Sequence, residues 1–210
     1  MPLRRKKHHG NNPRTKLPVE HNGLYPYLAQ FLAASRRKGL TEATCSTRDA
    51  ACRRFIAWCD ERGLVRPQQI TKPILERYQT HLYYYRKTNG EPLSVSMQLT
   101  LATSLKAWFR WLTQQNHILY NPASELELPR RLRRLPRHIL SIDDINQVLA
   151  LPNVRTPEGI RDRAMLEVLY STGIRRMELC NLHATDIDGR RGVLLVREGK
   201  GRQDRYVPIG

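Results

Sequence analysis

The stretch from Ser171 to Ile209 reads STGIRRMELCNLHATDIDGRRGVLLVREGKGRQDRYVPI. A helix stops at Gly173, Arg175 and Arg176 follow, and a short amphipathic helix begins with Met177, Leu179 and Leu182 as its apolar positions. Gly192 to Arg197 and Arg205 to Ile209 then alternate or run apolar as strands do. Between them Glu198-Gly199-Lys200-Gly201-Arg202 predicts a hairpin turn with a lysine at its tip. This order of groups suits a phosphate. A guanidinium at a helix start offers a fork of donors to two phosphate oxygens, beside backbone N–H groups that favour the same anion. Glu178, one turn along, is placed to hold that guanidinium. A lysine flanked by glycines can enter a narrow groove and deliver a proton to a departing oxygen. Taken singly, a helix-capping arginine with its salt-bridge partner and a solvated hairpin tip explain the same residues. The ordered combination favours chemistry.

TGIRRMEL followed by GKGRQDRYVPIG resembles the first half of the catalytic domain of the tyrosine recombinases, the phage-integrase and Xer-like family. RDRAMLEVLYSTG, just upstream, is similar to the helix that leads into that family's first catalytic arginine. The resemblance runs from about Tyr25 to Gly210, and its motifs are most specific within Arg161–Gly210. It implies that Arg175 is the first catalytic arginine, Glu178 its supporting carboxylate, and Lys200 the general acid on the leaving 5′ oxygen. It also implies attack by a tyrosine on the scissile phosphate, a 3′-phosphotyrosine, and no metal or cofactor.

Composition agrees with a nucleic-acid partner. Lys and Arg number 36 against 19 Asp and Glu, a formal charge of +17 with a pI near 10.3. Such an excess implies a polyanionic partner, nucleic acid being the usual one, and the resemblance makes it double-stranded DNA. A membrane is the alternative, but no long uncharged apolar stretch exists to span one, and residues 1–23 are basic and polar rather than a signal peptide. The expected setting is a bacterial-type cytoplasm. Cys45, Cys52 and Cys59 recur every seven residues along one helix face, a spacing that suits neither zinc nor a disulfide. They read as small packing residues, and Cys180 as a thiol without an obvious partner.

The fold expected is mainly α, with four domains or segments. Residues 1–23 form a basic disordered arm that either tracks phosphates or serves as a solubilising tail. Residues 24–122 form a four-helix, SAM-like core-binding domain. Its helices span about Tyr25–Lys38, Thr41–Arg62, Thr71–Tyr85 and Leu93–Gln115, with Thr41 and Thr71 as caps. Leu101, Ala102, Leu105, Trp108, Phe109 and Leu112 make a core stripe, while Arg48, Arg53 and Arg54 are available to solvent. At least one ring of Tyr83, Tyr84 and Tyr85 should be exposed. Arg48, Lys72, Arg86, Lys87 and Lys106 are the candidate phosphate contacts of this domain.

Residues 123–139 form a proline-bounded basic linker carrying Arg130, Arg131, Arg133, Arg134 and Arg137, either a clamp segment on DNA or a flexible charged tether. Residues 140–210 are then the first part of an α-rich catalytic domain with a small antiparallel sheet. Ser141 and Asp144 make a capping-box variant, and Thr156-Pro157-Glu158 opens a helix with Ile160, Ala164, Met165, Val168 and Leu169 as its buried stripe. Arg176 and Arg202 join the candidate DNA contacts.

The family's second arginine lies in a His-x-x-Arg motif, and none of His8, His9, His21, His81, His117, His138 or His183 is followed three residues later by arginine. Tyr206 reads as a packing residue and Tyr170 as either a core residue or one that backs the site, so neither is assigned as nucleophile. The expectation is a site-specific recombinase or integrase of a mobile element or chromosome, truncated within its catalytic domain. Assembly on DNA with other protomers as a dimer or tetramer follows by likeness. A non-cleaving DNA-binding protein derived from such a recombinase is the alternative, and a general nucleic-acid binder is a third. Truncation predicts a marginally stable second half with Met165, Val168 and Leu169 partly uncovered.

Overall fold

A computed structural model describes residues 17–130, 139–199, 201 and 203–210. The chain divides into two compact units, Met1–Arg133 and Arg134–Gly210. Each unit has its own core.

The first unit is built on four helices: α1 (Tyr25–Arg37), α2 (Glu42–Asp60), α3 (Lys72–Tyr84) and α4 (Val95–Gln114). Pro26 sits in the first turn of α1, where a missing N–H costs nothing, and Gly39 leaves the helix at φ 77°. Thr41 caps α2, its side chain accepting from the Thr44 N–H. Ser94 does the same for α4 through the Met97 N–H. Thr71 was expected to cap α3 but its side chain accepts no such bond; Pro73 in the first turn sets that helix start instead. At the other end Tyr85 is extended, and Arg86 turns back to donate to the carbonyls of Tyr83, Tyr84 and Tyr85. Tyr83 and Tyr84 are exposed there, as the sequence suggested.

Phe55 on α2 is the hub of the aromatic core. Its ring lies edge-on to Tyr78 at 5.0 Å, Phe109 at 6.0 Å and Trp108 at 6.4 Å, a geometry favoured by the ring quadrupoles. Trp108, Phe109 and Leu112 of the expected α4 stripe are fully buried. Cys45, Cys52 and Cys59 line the inner face of α2 and are buried completely, so small side chains let neighbouring helices approach there.

Three sequence expectations change in this unit. Arg53 is not available to solvent: it is 4 % exposed and ion-pairs with Asp49 at 2.8 Å and Glu20 at 2.7 Å. Within the span expected to be a loose arm, Val19 and Asn22 are buried against the helices, and Asn22 accepts from the Leu24 N–H. Residues 1–16 lie outside the described residues. Past α4, Ala123 and Leu126 enter the core, and Lys106 donates to the carbonyls of Ser124 and Leu126. The start of the expected linker is therefore packed onto the helices; its residues 131–138 lie outside the described set.

The second unit comprises α5 (Ile142–Ala150), α6 (Pro157–Thr172), α7 (Arg176–Cys180) and three antiparallel strands in the order β1 (Ile187–Asp188), β2 (Val193–Val196), β3 (Arg205–Pro208). The capping box at Ser141 forms: Asp144 accepts from the Ser141 N–H, and Ser141 Oγ from the Asp144 N–H. Thr156 caps α6, and Gly159 is required one turn in, because a Cβ there would lie 1.9 Å from the Asn153 carbonyl oxygen. Leu194 pairs with Val207 and Leu195 with Tyr206 across the hairpin.

The core of this unit is small. Ile174, Leu194 and Val196 form it, with Val168, Leu169, Leu179, Leu182, Val207 and Ile209 half-buried around them. The stripe expected on α6 is only partly covered. Val168 and Leu169 meet that core, whereas Ile160 is 57 % and Met165 40 % exposed, since α7 and the sheet reach only the last turns of the helix. Leu182 falls beyond α7, which is shorter than its apolar spacing suggested.

Candidate active site

Gly173 leaves α6 in the left-handed region at φ 63°, a conformation that favours glycine, and buries Ile174 behind it. This turn delivers Arg175 to the N-cap of α7 with 58 % of its side chain exposed. Glu178 comes one turn later and points inward. Its Oε2 accepts from the Arg175 backbone N–H at 2.9 Å, and its Oε1 from Arg175 Nη1 at 2.9 Å. The carboxylate expected to support the arginine thus holds both its backbone and its side chain. The backbone N–H of Arg175 is thereby committed to Glu178 rather than to a ligand.

Sequence reasoning missed a second guanidinium on the same carboxylate. Arg205 of β3 donates from Nη1 to Oε1 at 3.0 Å and from Nη2 to Oε2 at 2.7 Å, a fork on both oxygens. Glu178 is nearly buried and accepts four charge-assisted or backbone hydrogen bonds. The Arg205 guanidinium first, then the Arg175 N–H, hold its carboxyl well below the usual glutamate range. The signal for Arg205 lay in the strand period. Arg205, Val207 and Ile209 share one face and are half-buried, so an arginine stands on the inward face of β3.

The same period corrects Tyr206. It projects from the opposite face, 70 % exposed, and is not the packing residue expected; Tyr170 on α6 is 57 % exposed and so is not a core residue. Tyrosines at these positions are held by little of the surrounding chain.

Gly173, Arg175, Gln203, Asp204 and Arg205 line a cleft of about 490 Å³. The hairpin beside it is closed by the Gly199 N–H on the Gln203 carbonyl and by the Glu198 N–H on Asp204. Lys200 and Arg202 lie outside the described residues. A second ion pair braces the sheet: Asp186, itself buried, accepts from Arg197 Nε at 2.7 Å and from the His183 N–H at 2.9 Å. Those bonds, the His183 N–H first, lower the Asp186 pKa.

The candidate DNA contacts divide by what they already touch. Arg48 lies half-buried over the Phe31 ring at 5.3 Å and lines a groove of about 410 Å³ between α2 and α4, with Thr44, Thr47, Thr100, Thr103 and Ser104. Lys72 pairs with Glu125 at 2.9 Å, and Lys106 and Arg86 bond to carbonyls of their own unit. Lys87, Arg130 and Arg176 are exposed. Arg131, Arg133, Arg134 and Arg137 lie outside the described residues. Among the described residues no three His, Cys, Asp or Glu side chains gather as a metal site, and no helix is long and apolar enough to cross a membrane.

A four-helix SAM-like unit followed by α5–α7 and a three-stranded sheet, with an arginine–glutamate pair at a polar cleft, defines a class. Residues 27–118 match the family model described as the N-terminal SAM-like domain of phage integrases, and residues 138–210 match the phage integrase family itself. The chain belongs to the phage integrase family, the tyrosine recombinases. Within that family its likeness is to the Xer recombinases. It is 49 % identical over 201 residues to tyrosine recombinase XerC 2 of Ralstonia nicotianae, covering 96 % of this chain and 58 % of that protein. It is 33 % identical to tyrosine recombinase XerC of Escherichia coli over 90 % of this chain and 60 % of the relative. A lambda integrase dimer bound to a COC′ core site has the same fold, with a TM-score of 0.61 at 18 % identity, over 88 % of this chain and 59 % of that one. The chain thus spans 58–60 % of the length of these curated relatives.

Proposed function

We propose that the chain binds double-stranded DNA and carries the first half of a site for breaking and rejoining it by the tyrosine-recombinase reaction. The observation that carries this reading is Arg175, its guanidinium held by Glu178 at the mouth of a polar cleft while most of its side chain stays open. In the reaction a tyrosine oxygen attacks the scissile phosphorus and the bond to the 5′ oxygen breaks. The products are a 3′-phosphotyrosine and a 5′ hydroxyl. Arg175 supplies donors to the non-bridging oxygens as charge builds on them, and Lys200 gives the departing 5′ oxygen its proton. The ester conserves the bond energy, so rejoining is the same step reversed, with no cofactor consumed.

In the first unit, the Arg48 guanidinium at the α2–α4 groove is the group suited to phosphate, while the Thr47, Thr100 and Thr103 hydroxyls beside it already donate to carbonyls of their own helices. Groups of this kind position a protein on phosphates without reading bases. Lys87 and Arg130 are exposed positive charges of the first unit and Arg176 of the second, and partner protomers would assemble on the same duplex in the cytoplasm.

A non-cleaving DNA-binding role is the second reading. It requires only the DNA binding for which the formal charge of +17 speaks. One experiment separates the two. The chain is incubated with nicked duplexes that trap covalent intermediates, then denatured and resolved by size. A denaturant-stable protein–DNA band, lost when one of its tyrosines becomes phenylalanine, would establish cleavage by this chain. Duplex binding without such a band supports the second reading, and no duplex binding would defeat both.

A further inference from the structure

Glu178 holds Arg175, but of the two guanidinium groups it binds, that of Arg175 is the more lightly held. Of the four hydrogen bonds the carboxylate accepts, two form a fork from the Arg205 guanidinium onto both oxygens, one comes from the Arg175 backbone N–H, and one from the Arg175 guanidinium, to the oxygen it shares with Arg205. A carboxylate this buried needs its charge matched, and a planar fork fixes its orientation as a single bond cannot. The hairpin is seated on the same pair. A Cβ at Gly199 would lie 2.5 Å from Arg205 Nη1 and 3.2 Å from Glu178 Oε1, so the residue preceding Lys200 packs directly on the ion pair.

We propose that Arg205 is a positioning residue: its bidentate grip on Glu178 fixes the Arg175 guanidinium at the cleft and, through Gly199, seats the stem of the hairpin between β2 and β3. The proposal rests on the reading of Arg175 as a phosphate ligand. Arg205 itself needs no contact with DNA. Its side chain is 38 % exposed and its two terminal nitrogens are engaged by Glu178.

The test uses the full chain labelled with nitrogen-15, following the Arg175 Nε–Hε resonance for side-chain order and for its response to inorganic phosphate. R205A and E178Q should each make that side chain mobile and weaken its phosphate response about tenfold, the scale of a lost charge-assisted hydrogen bond. The double variant should be no worse than either, because both break one chain of contacts. R205K, which keeps the charge but not the fork, should fall between. Amide resonances of Leu194 and Val207 report whether the sheet survives. Should R205A disturb them, E178Q and R205K carry the test. An Arg175 side chain as ordered in R205A and E178Q as in the parent, or additive losses in the double variant, overturns the proposal. Duplex affinity of the unmodified chain is measured alongside. Its absence would sink the DNA-binding function while leaving the order of Arg175 to decide the role of Arg205.

Discussion

Arg53 of α2 donates from Nη1 at 2.7 Å to the backbone carbonyl of Leu17, 36 residues earlier in the chain. The same guanidinium bonds Asp49 and Glu20 and lies 5.0 Å from the centre of the Tyr25 ring, so one buried cation gathers the segment ahead of α1 onto α2. Removing it leaves Asp49 in a largely dry site. Arg53→Ala should therefore lower the stability of the first unit by about 3 kcal/mol, as removal of one member of a buried pair does. Urea unfolding followed by tryptophan fluorescence measures this directly. A change no larger than for the exposed Arg37 would contradict it.

Duplex binding should weaken steeply as salt rises, since each neutralised phosphate releases counterions. Arg48→Ala should reduce the log–log salt slope by about one, with a similar loss on any sequence, because its guanidinium is the phosphate donor that lines the α2–α4 groove. Fluorescence anisotropy across a salt series gives both quantities. An unchanged slope would remove Arg48 from the interface.

The thiols divide into two kinds. Burial pushes the Cys59 thiol up to about 12 and raises Cys52 further, whereas Cys180 is exposed. An alkylating reagent that needs thiolate should label the native chain once, at Cys180, and reach the α2 thiols only after unfolding. Mass spectrometry of the labelled peptides checks the count.

Stability of the second unit should depend on pH through Glu178. Its folded pKa lies below its ordinary value of 4.5, so the unfolded chain takes up the proton first as pH falls. The contribution is fully present above that ordinary value and declines below it, disappearing once pH has passed through the folded value. Asp186 acts with the same sign. E178Q should flatten the acid limb of the unfolding curve while lowering stability near neutrality. An acid limb equally steep in E178Q would place the proton uptake elsewhere.

Helices and caps were legible because they are local. Thr41, the Ser141–Asp144 box, Thr156 and Gly173 each act within one turn of their own position, and each sits where its pattern put it. The pairing of Arg175 with Glu178 was legible for the same reason. What escaped was charge acting at a distance. Arg53 looks like one more solvated arginine until Asp49, Glu20 and the Leu17 carbonyl surround it. Arg205 is 27 residues from Glu178, and only the antiparallel return of β3 brings them together. Tyr206 was misread from a period that was visible: its neighbours Arg205 and Val207 face inward, so it cannot. The covered share of α6 was not readable either, because an apolar stripe states what a helix can bury and not what lies against it.

The unequal cores bear on the order in which the chain is made. The core around Phe55 is complete by Leu126, although its central packing joins α2 to α4 across the whole of α3, so it closes only once α4 has been made. The ribosome can therefore release a finished first unit while the strands of the second are still being synthesised, as domains tend to mature from the N-terminus. Glu178 is translated before Arg205, so the carboxylate waits for the guanidinium fork until β3 emerges. A ribosome stalled between the two would present a completed helical module beside an unassembled cleft.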